Sequence, residues 1–163
     1  MVIKIMKKIV LLSFFMVFSS ISFADDYASK SMADTIVIEK AWARETFKMA
    51  RSGAAYVTLT NPSDKDIQLV VASVDDSVAS MVEIHTTEMT NGMMRMRQLE
   101  EGITVAANET VMFQPGGMHF MIMGLTGPFE AKNDFTLTLT FADESTKMVT
   151  VGIQDMSNRT AVE

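Results

Sequence analysis

His85 and His119 are the only histidines in the chain, and nine methionines crowd the segment from Met81 to Met123 that contains both. Four of these residues, His85, Met96, His119 and Met121, would offer two imidazoles and two thioethers. That is a neutral, soft donor set, and it suits monovalent copper better than other common biological metals. Zinc prefers thiolate or imidazole sets, while calcium and magnesium want oxygen. Thioethers take up no proton at accessible pH, so only the imidazoles would couple metal binding to acidity. Thiolates would hold copper more tightly but risk disulfide formation in an oxidising compartment. The chain has no cysteine, which removes thiol catalysis, iron–sulfur clusters, cysteine zinc sites and the blue-copper thiolate. The set therefore favours holding and releasing an ion outside the cytoplasm.

Strands must position these residues, because side chains two apart on a strand share a face. Within Met118–Met123 that rule separates Met118, Phe120 and Ile122, a core stripe, from His119, Met121 and Met123. Met94 and Met96 share a face and leave Met93 opposite; Glu83 and His85 share a face while Ile84 points to the core. Asn91-Gly92 is the strongest hairpin turn, since both residues tolerate positive φ, and a hairpin there brings His85 towards Met94–Met96. Met94 and Met123 are candidate auxiliary ligands, and Glu83 is a candidate outer partner. A lone strand methionine is most often a flexible core filler, so Met81, Met93, Met112 and Met118 are assigned to packing. The clustering of both soft donor types makes a metal site the better reading for the four.

Short apolar segments with strand periodicity, separated by turn residues, run along the chain. They are Thr35–Lys40, Gly53–Asn61, Ile67–Val74, Ser80–Thr87, Met94–Leu99, Ile103–Val105, Thr110–Gln114, Met118–Met123, Phe135–Ala142 and Lys147–Gln154. This pattern predicts an all-β single domain, an antiparallel sandwich with Greek-key connections. Ahead of it, residues 1–24 have the form of a secretory signal: Lys4, Lys7 and Lys8, an apolar run from Ile9 to Phe18, and Ser22-Phe23-Ala24 before Asp25. That run is shorter than the roughly 20 residues a membrane span needs. Residues 25–34 are expected to be a flexible lead-in, 35–154 the copper-binding domain and 155–163 a flexible tail. Beyond residue 24 the chain carries eleven Lys and Arg against twenty Asp and Glu, a formal charge of −9. Such acidity argues against nucleic acid or anionic membrane as partners. No stable membrane insertion after signal removal, and a monomer, are the expectations.

From Ala41 onwards the chain resembles the periplasmic copper chaperone family that supplies the copper-A centre of cytochrome c oxidase. The resemblance covers about residues 35–153 and rests on AWAR (Ala41–Arg44), GAAYVTLTN (Gly53–Asn61) with the trailing Asp66, and EIH (Glu83–His85). NGMMRMR, the PGG before the H-x-M, and Met123-Gly124-Leu125 add to it. Its most specific part is a metal pattern of a His, a Met eleven positions on, and then H-x-M, which falls on His85, Met96, His119 and Met121. Met118 departs from it, standing where the family often has an aromatic. The resemblance implies a cupredoxin-like β-sandwich with an exposed Cu(I) site at one end and no enzymatic activity. It also implies delivery of copper to cytochrome c oxidase subunit II or to another copper chaperone, on the outer side of the cytoplasmic membrane. Competing readings are a periplasmic copper-buffering or resistance protein, a copper oxidoreductase, and a metal-free β-sandwich interaction module. No paired acid, nucleophile triad or phosphate loop supports catalysis.

Overall fold

A computed structural model describes residues 30–90 and 92–155. The signal-like segment, the first residues of the lead-in, Asn91 and the tail from residue 156 lie outside the described residues. A short helix, α1 (Met32–Thr35), precedes ten strands. These are β1 (Val37–Arg44), β2 (Ser52–Thr60), β3 (Ile67–Val74), β4 (Met81–Thr90) and β5 (Met93–Gln98), followed by β6 (Ile103–Val105), β7 (Thr110–Met112), β8 (His119–Met123), β9 (Asp134–Phe141) and β10 (Thr146–Gln154). The expected strand segments all appear, with ends shifted by a few residues at most places. Among the described residues no helix is long and apolar enough to cross a membrane.

Strand order is β5-β4-β8-β2-β1-β10-β9-β3-β6, with β7 also pairing β2. This path folds over so that β3 meets β4, and the apolar faces enclose one core. β9 shows how the sequence dictates its side: Phe135, Leu137, Leu139 and Phe141 are buried while the alternating threonines face outward. β8 inserts Phe120 and Ile122 into the same core, where Phe120 stacks on Phe113 with ring centroids 4.4 Å apart. That contact seats the strand carrying His119 and Met121 firmly against the interior.

Two expectations need correction. The sheet is mixed, because β1 and β10 pair in parallel, Trp42 opposite Gly152 and Ala43 opposite Ile153. β10 turns back from β9 along one edge, and its other edge meets β1 running the same way; pairing them removes two open edges from the middle of the sheet. The lead-in expected to be flexible also ends in structure. Ser31 caps α1 by accepting from the Asp34 N–H, and the β9–β10 turn supplies further acceptors. The Met32 N–H donates to Asp143 at 2.7 Å and the Ala33 N–H to the Ser145 hydroxyl at 3.0 Å, with Ala33 buried beneath.

Burial pushes the Asp143 carboxyl up, but hydrogen bonds from the Met32 N–H and from Ser145 hold it below the ordinary aspartate value. With its folded value depressed, Asp143 contributes stability above the ordinary carboxylate range and loses it as pH falls through the folded value. Asp143→Ala is expected to cost about 1 kcal/mol, the usual worth of a helix cap. Urea unfolding at neutral pH checks this, and the difference from the parent should shrink on acidification.

Candidate metal centre

The site lies on one face of the β5-β4-β8-β2 half of the sheet. Residues directly opposite on neighbouring strands share a face, so the pairing register sorts the side chains into rungs along β4. Met81 is opposite Met123, Glu83 opposite Met121, and His85 opposite His119 on the β8 side. On the β5 side Thr87 is opposite Met96 and Met89 opposite Met94. β2 continues the second rung, with Ala54 opposite Met121. The hairpin carries Met96 back to the rung beside His85. The β4–β8 pairing sets the two imidazoles together, with ring centroids 5.8 Å apart.

An open cavity of about 440 Å³ sits over this face, lined by Ala54, Tyr56, Thr87, Met94, Met96, Gly116, His119 and Met121. His85 lies one strand over from His119, beside the cavity rather than in its lining. Met94, the first auxiliary candidate, lines the cavity. Met123, the second, does not; its rung lies two steps from the imidazole pair, alongside Met81 and Ser52. Alternation gave Met123 the right face but not the right height on the strand. Met118 is half-buried against the core, as its position in the apolar stripe implies.

Hydrogen bonds fix both ring tautomers. The Gly117 carbonyl can only accept, so the His119 Nδ1–H donates to it at 3.1 Å and Nε2 keeps the free lone pair. On the other ring, Glu83 accepts from the His85 Nε2–H at 2.8 Å, leaving Nδ1 as the donor atom. This Nδ1 is buried and has no hydrogen-bond partner. An orphaned buried polar atom costs about 1–3 kcal/mol, and a bound cation would relieve that cost. A carboxylate or carbonyl behind each imidazole is also the usual outer partner of a metal-bound histidine. Among the described residues no group of three or more His, Asp or Glu offers a hard or zinc-like site. The donors that remain are two imidazole nitrogens and thioethers, a set matched to a soft monovalent ion.

Sequence patterns did not single out the walls. Tyr56 packs against Trp42 with centroids 4.5 Å apart and the rings tilted by 35°, and burial pushes its hydroxyl above the ordinary tyrosine value, with Arg44 partly offsetting. It therefore stays a neutral phenol beside the cavity. Ala54 is small where β2 passes Met121, which leaves room above the thioether. Both lie on the site face of β2 by alternation, but only the β2–β8 pairing brings that face here.

Comparison with known proteins places this arrangement. A family model described as "Putative lipoprotein LpqE-like" matches residues 36–153. The "Putative lipoprotein Lxx21020" of Leifsonia xyli subsp. xyli is 35% identical over 127 residues, covering 77% of this chain and 73% of that protein. Among solved structures, the solution structure of CuI-DR1885 from Deinococcus radiodurans is 31% identical with a TM-score of 0.57, covering 78% of this chain and 85% of that one. The copper-bound PCuAC domain from PmoF2 shares the fold at a TM-score of 0.60 and 16% identity, over 74% of this chain and 93% of that domain. The matched span runs from the end of α1 to the end of β10 and takes in the cavity and both histidines: the chain belongs to the LpqE-like family.

Proposed function

We propose that this protein is an extracytoplasmic copper chaperone that holds Cu(I) between His85, Met96, His119 and Met121 and gives it up by ligand exchange. The observation that carries the reading is the pair of opposed imidazoles with fixed tautomers, one presenting a buried, unpartnered Nδ1 beside a methionine-lined cavity. The Cu(I) form of the Deinococcus radiodurans relative supports the same cargo. Neutral donors leave the ion with its single positive charge, and Met96 is 63% exposed. An acceptor's ligand can therefore displace the Met96 thioether first, through a shared-ligand complex, without opening the core. The acceptor is copper-A in cytochrome c oxidase subunit II, or another copper chaperone that precedes it. The signal-like start and the lipoprotein naming of the family support placement in the cell envelope, in the periplasm, although these 163 residues include no cysteine for a lipid.

Anaerobic Cu(I) titration followed by X-ray absorption tests the site. One tight equivalent with mixed nitrogen and sulfur scattering is expected, and in a cysteine-free chain the sulfur must be methionine. A shell of nitrogen and oxygen alone would overturn it. Delivery is tested in the cell: deletion should lower oxidase activity and leave copper tolerance unchanged, whereas the reverse result would mean a buffer. Glu83→Ala frees the His85 ring to rotate and exchange tautomers. It should weaken Cu(I) binding by about 10–100-fold, the usual effect of losing such an outer partner, as read by competition with a chromogenic chelator.

A further inference from the structure

We propose that Met89 and Met94 form a second, weaker site for a soft monovalent ion at the outer end of the β4–β5 hairpin, one step from the main centre. Its role as a loading and unloading station rests on the copper reading above; its donor chemistry does not. The two residues are directly opposite across the hairpin, which puts their Cβ atoms within about 4.5–5.5 Å of each other. Met96 follows Met94 two residues along β5 on the same face, a rise of about 6.6–6.8 Å. An ion on the outer rung is therefore within a side chain's reach of Met96.

Packing does not explain these methionines. Met89 is 67% exposed and Met94 65% exposed, so neither fills the core. The charges at the outer end of the hairpin lie on its other face, where Glu88 pairs with Arg97 at 2.7 Å. By alternation that leaves the outer rung of the thioether face without a charged side chain; Glu83, the carboxylate that β4 places on this face, lies three rungs away and accepts from the His85 Nε2–H. Met94 also lines the cavity with Met96, His119 and Met121, so the outer rung opens directly onto it. Two flexible thioethers give a soft donor pair selective for Cu(I) or Ag(I). They are too few to compete with a centre that adds two imidazoles.

The test is a titration of the full chain, labelled with ¹³C at its methionine methyls, with Ag(I), which binds like Cu(I) without oxidising. The first equivalent should move the Met96 and Met121 methyl resonances, and the second should move Met89 and Met94. In a Met89→Leu variant the second step should vanish and the first remain. The proposal is overturned if no resonance moves beyond the first equivalent, if Met81 and Met123 move instead, or if Met89 and Met94 move in step with Met96 as part of one site. Movement of Met89 and Met94 without any change at Met96 and Met121 would keep the outer site and sink the main-centre reading.

Discussion

Replacing His119 and Met121 together by alanine is expected to lower Cu(I) affinity by more than about a thousandfold. Loss of a single outer partner typically costs about 10–100-fold in metal affinity, and this double change removes two of the four proposed donors. On the proposed reading His119 would supply Nε2 from a ring held by the Gly117 carbonyl, and Met121 would supply a thioether one rung along the same strand. What remains is His85, whose Nδ1 stays buried and unpartnered, and a Met96 thioether tethered to an exposed hairpin. The fold should persist, because β8 is anchored by Phe120 and Ile122 on its opposite face. Competition against a chelator of known Cu(I) affinity, under argon, gives the number. Affinity within tenfold of the parent would place the metal elsewhere.

The largest effect on stability is expected at Asn61, which is fully buried just beyond β2. Its amide NH₂ donates to the carbonyls of Lys65 at 2.7 Å, Val105 at 2.9 Å and Ala106 at 3.2 Å. Its Oδ1 accepts from the Ser63 N–H and hydroxyl. One side chain thus ties the turn after β2 to the end of β6. Asn61→Leu keeps much of the volume but strips the Val105 carbonyl and the Ser63 N–H of their partners at once. At about 1–3 kcal/mol for a buried group left unsatisfied, and less for the part-buried Ser63 N–H, a cost of about 3 kcal/mol follows, or roughly a 10 °C fall in melting temperature for a domain of this size. Calorimetry decides it; a shift under about 2 °C would mean that water reaches these groups. Copper binding, measured on the folded variant, should be unchanged.

Much of this was legible in the sequence because strand alternation and turn chemistry are local. β3 and β6 fall where Ile67–Val74 and Ile103–Val105 were expected. The Met118–Met123 segment divides into a core side and a site side as its alternation predicts, although His119 is also buried. Asn91-Gly92 pointed to the β4–β5 hairpin, and Gly92 does adopt a positive φ of 77°. What was hidden is non-local. Alternation says which side of the sheet a residue faces, not which rung it occupies, so Met123 could not be told from Met121 in advance. The register of β4 against β8 decides that. Tyr56 and Ala54 became walls only through β2–β8 pairing, and α1 is held by a turn more than a hundred residues away. In GAAYVTLTN the final Asn resembles an ordinary turn residue, and nothing in its neighbours announces that it is buried.

The parallel pairing of β1 with β10 has a consequence for the order in which this molecule can be made. It joins Trp42 to Gly152 and Arg44 to Gln154, strands from opposite ends of the domain, in the middle of the sheet. A contact that distant is slow to form, since its loop must close before the pairing repays it. A chain emerging amino-terminus first, from a ribosome or a membrane pore, holds β1 with a bare edge until the nine residues of β10 arrive. The sheet is then two unjoined halves, pliable enough to thread a channel and open to proteases. Its commitment to one compact state waits for the last strand through.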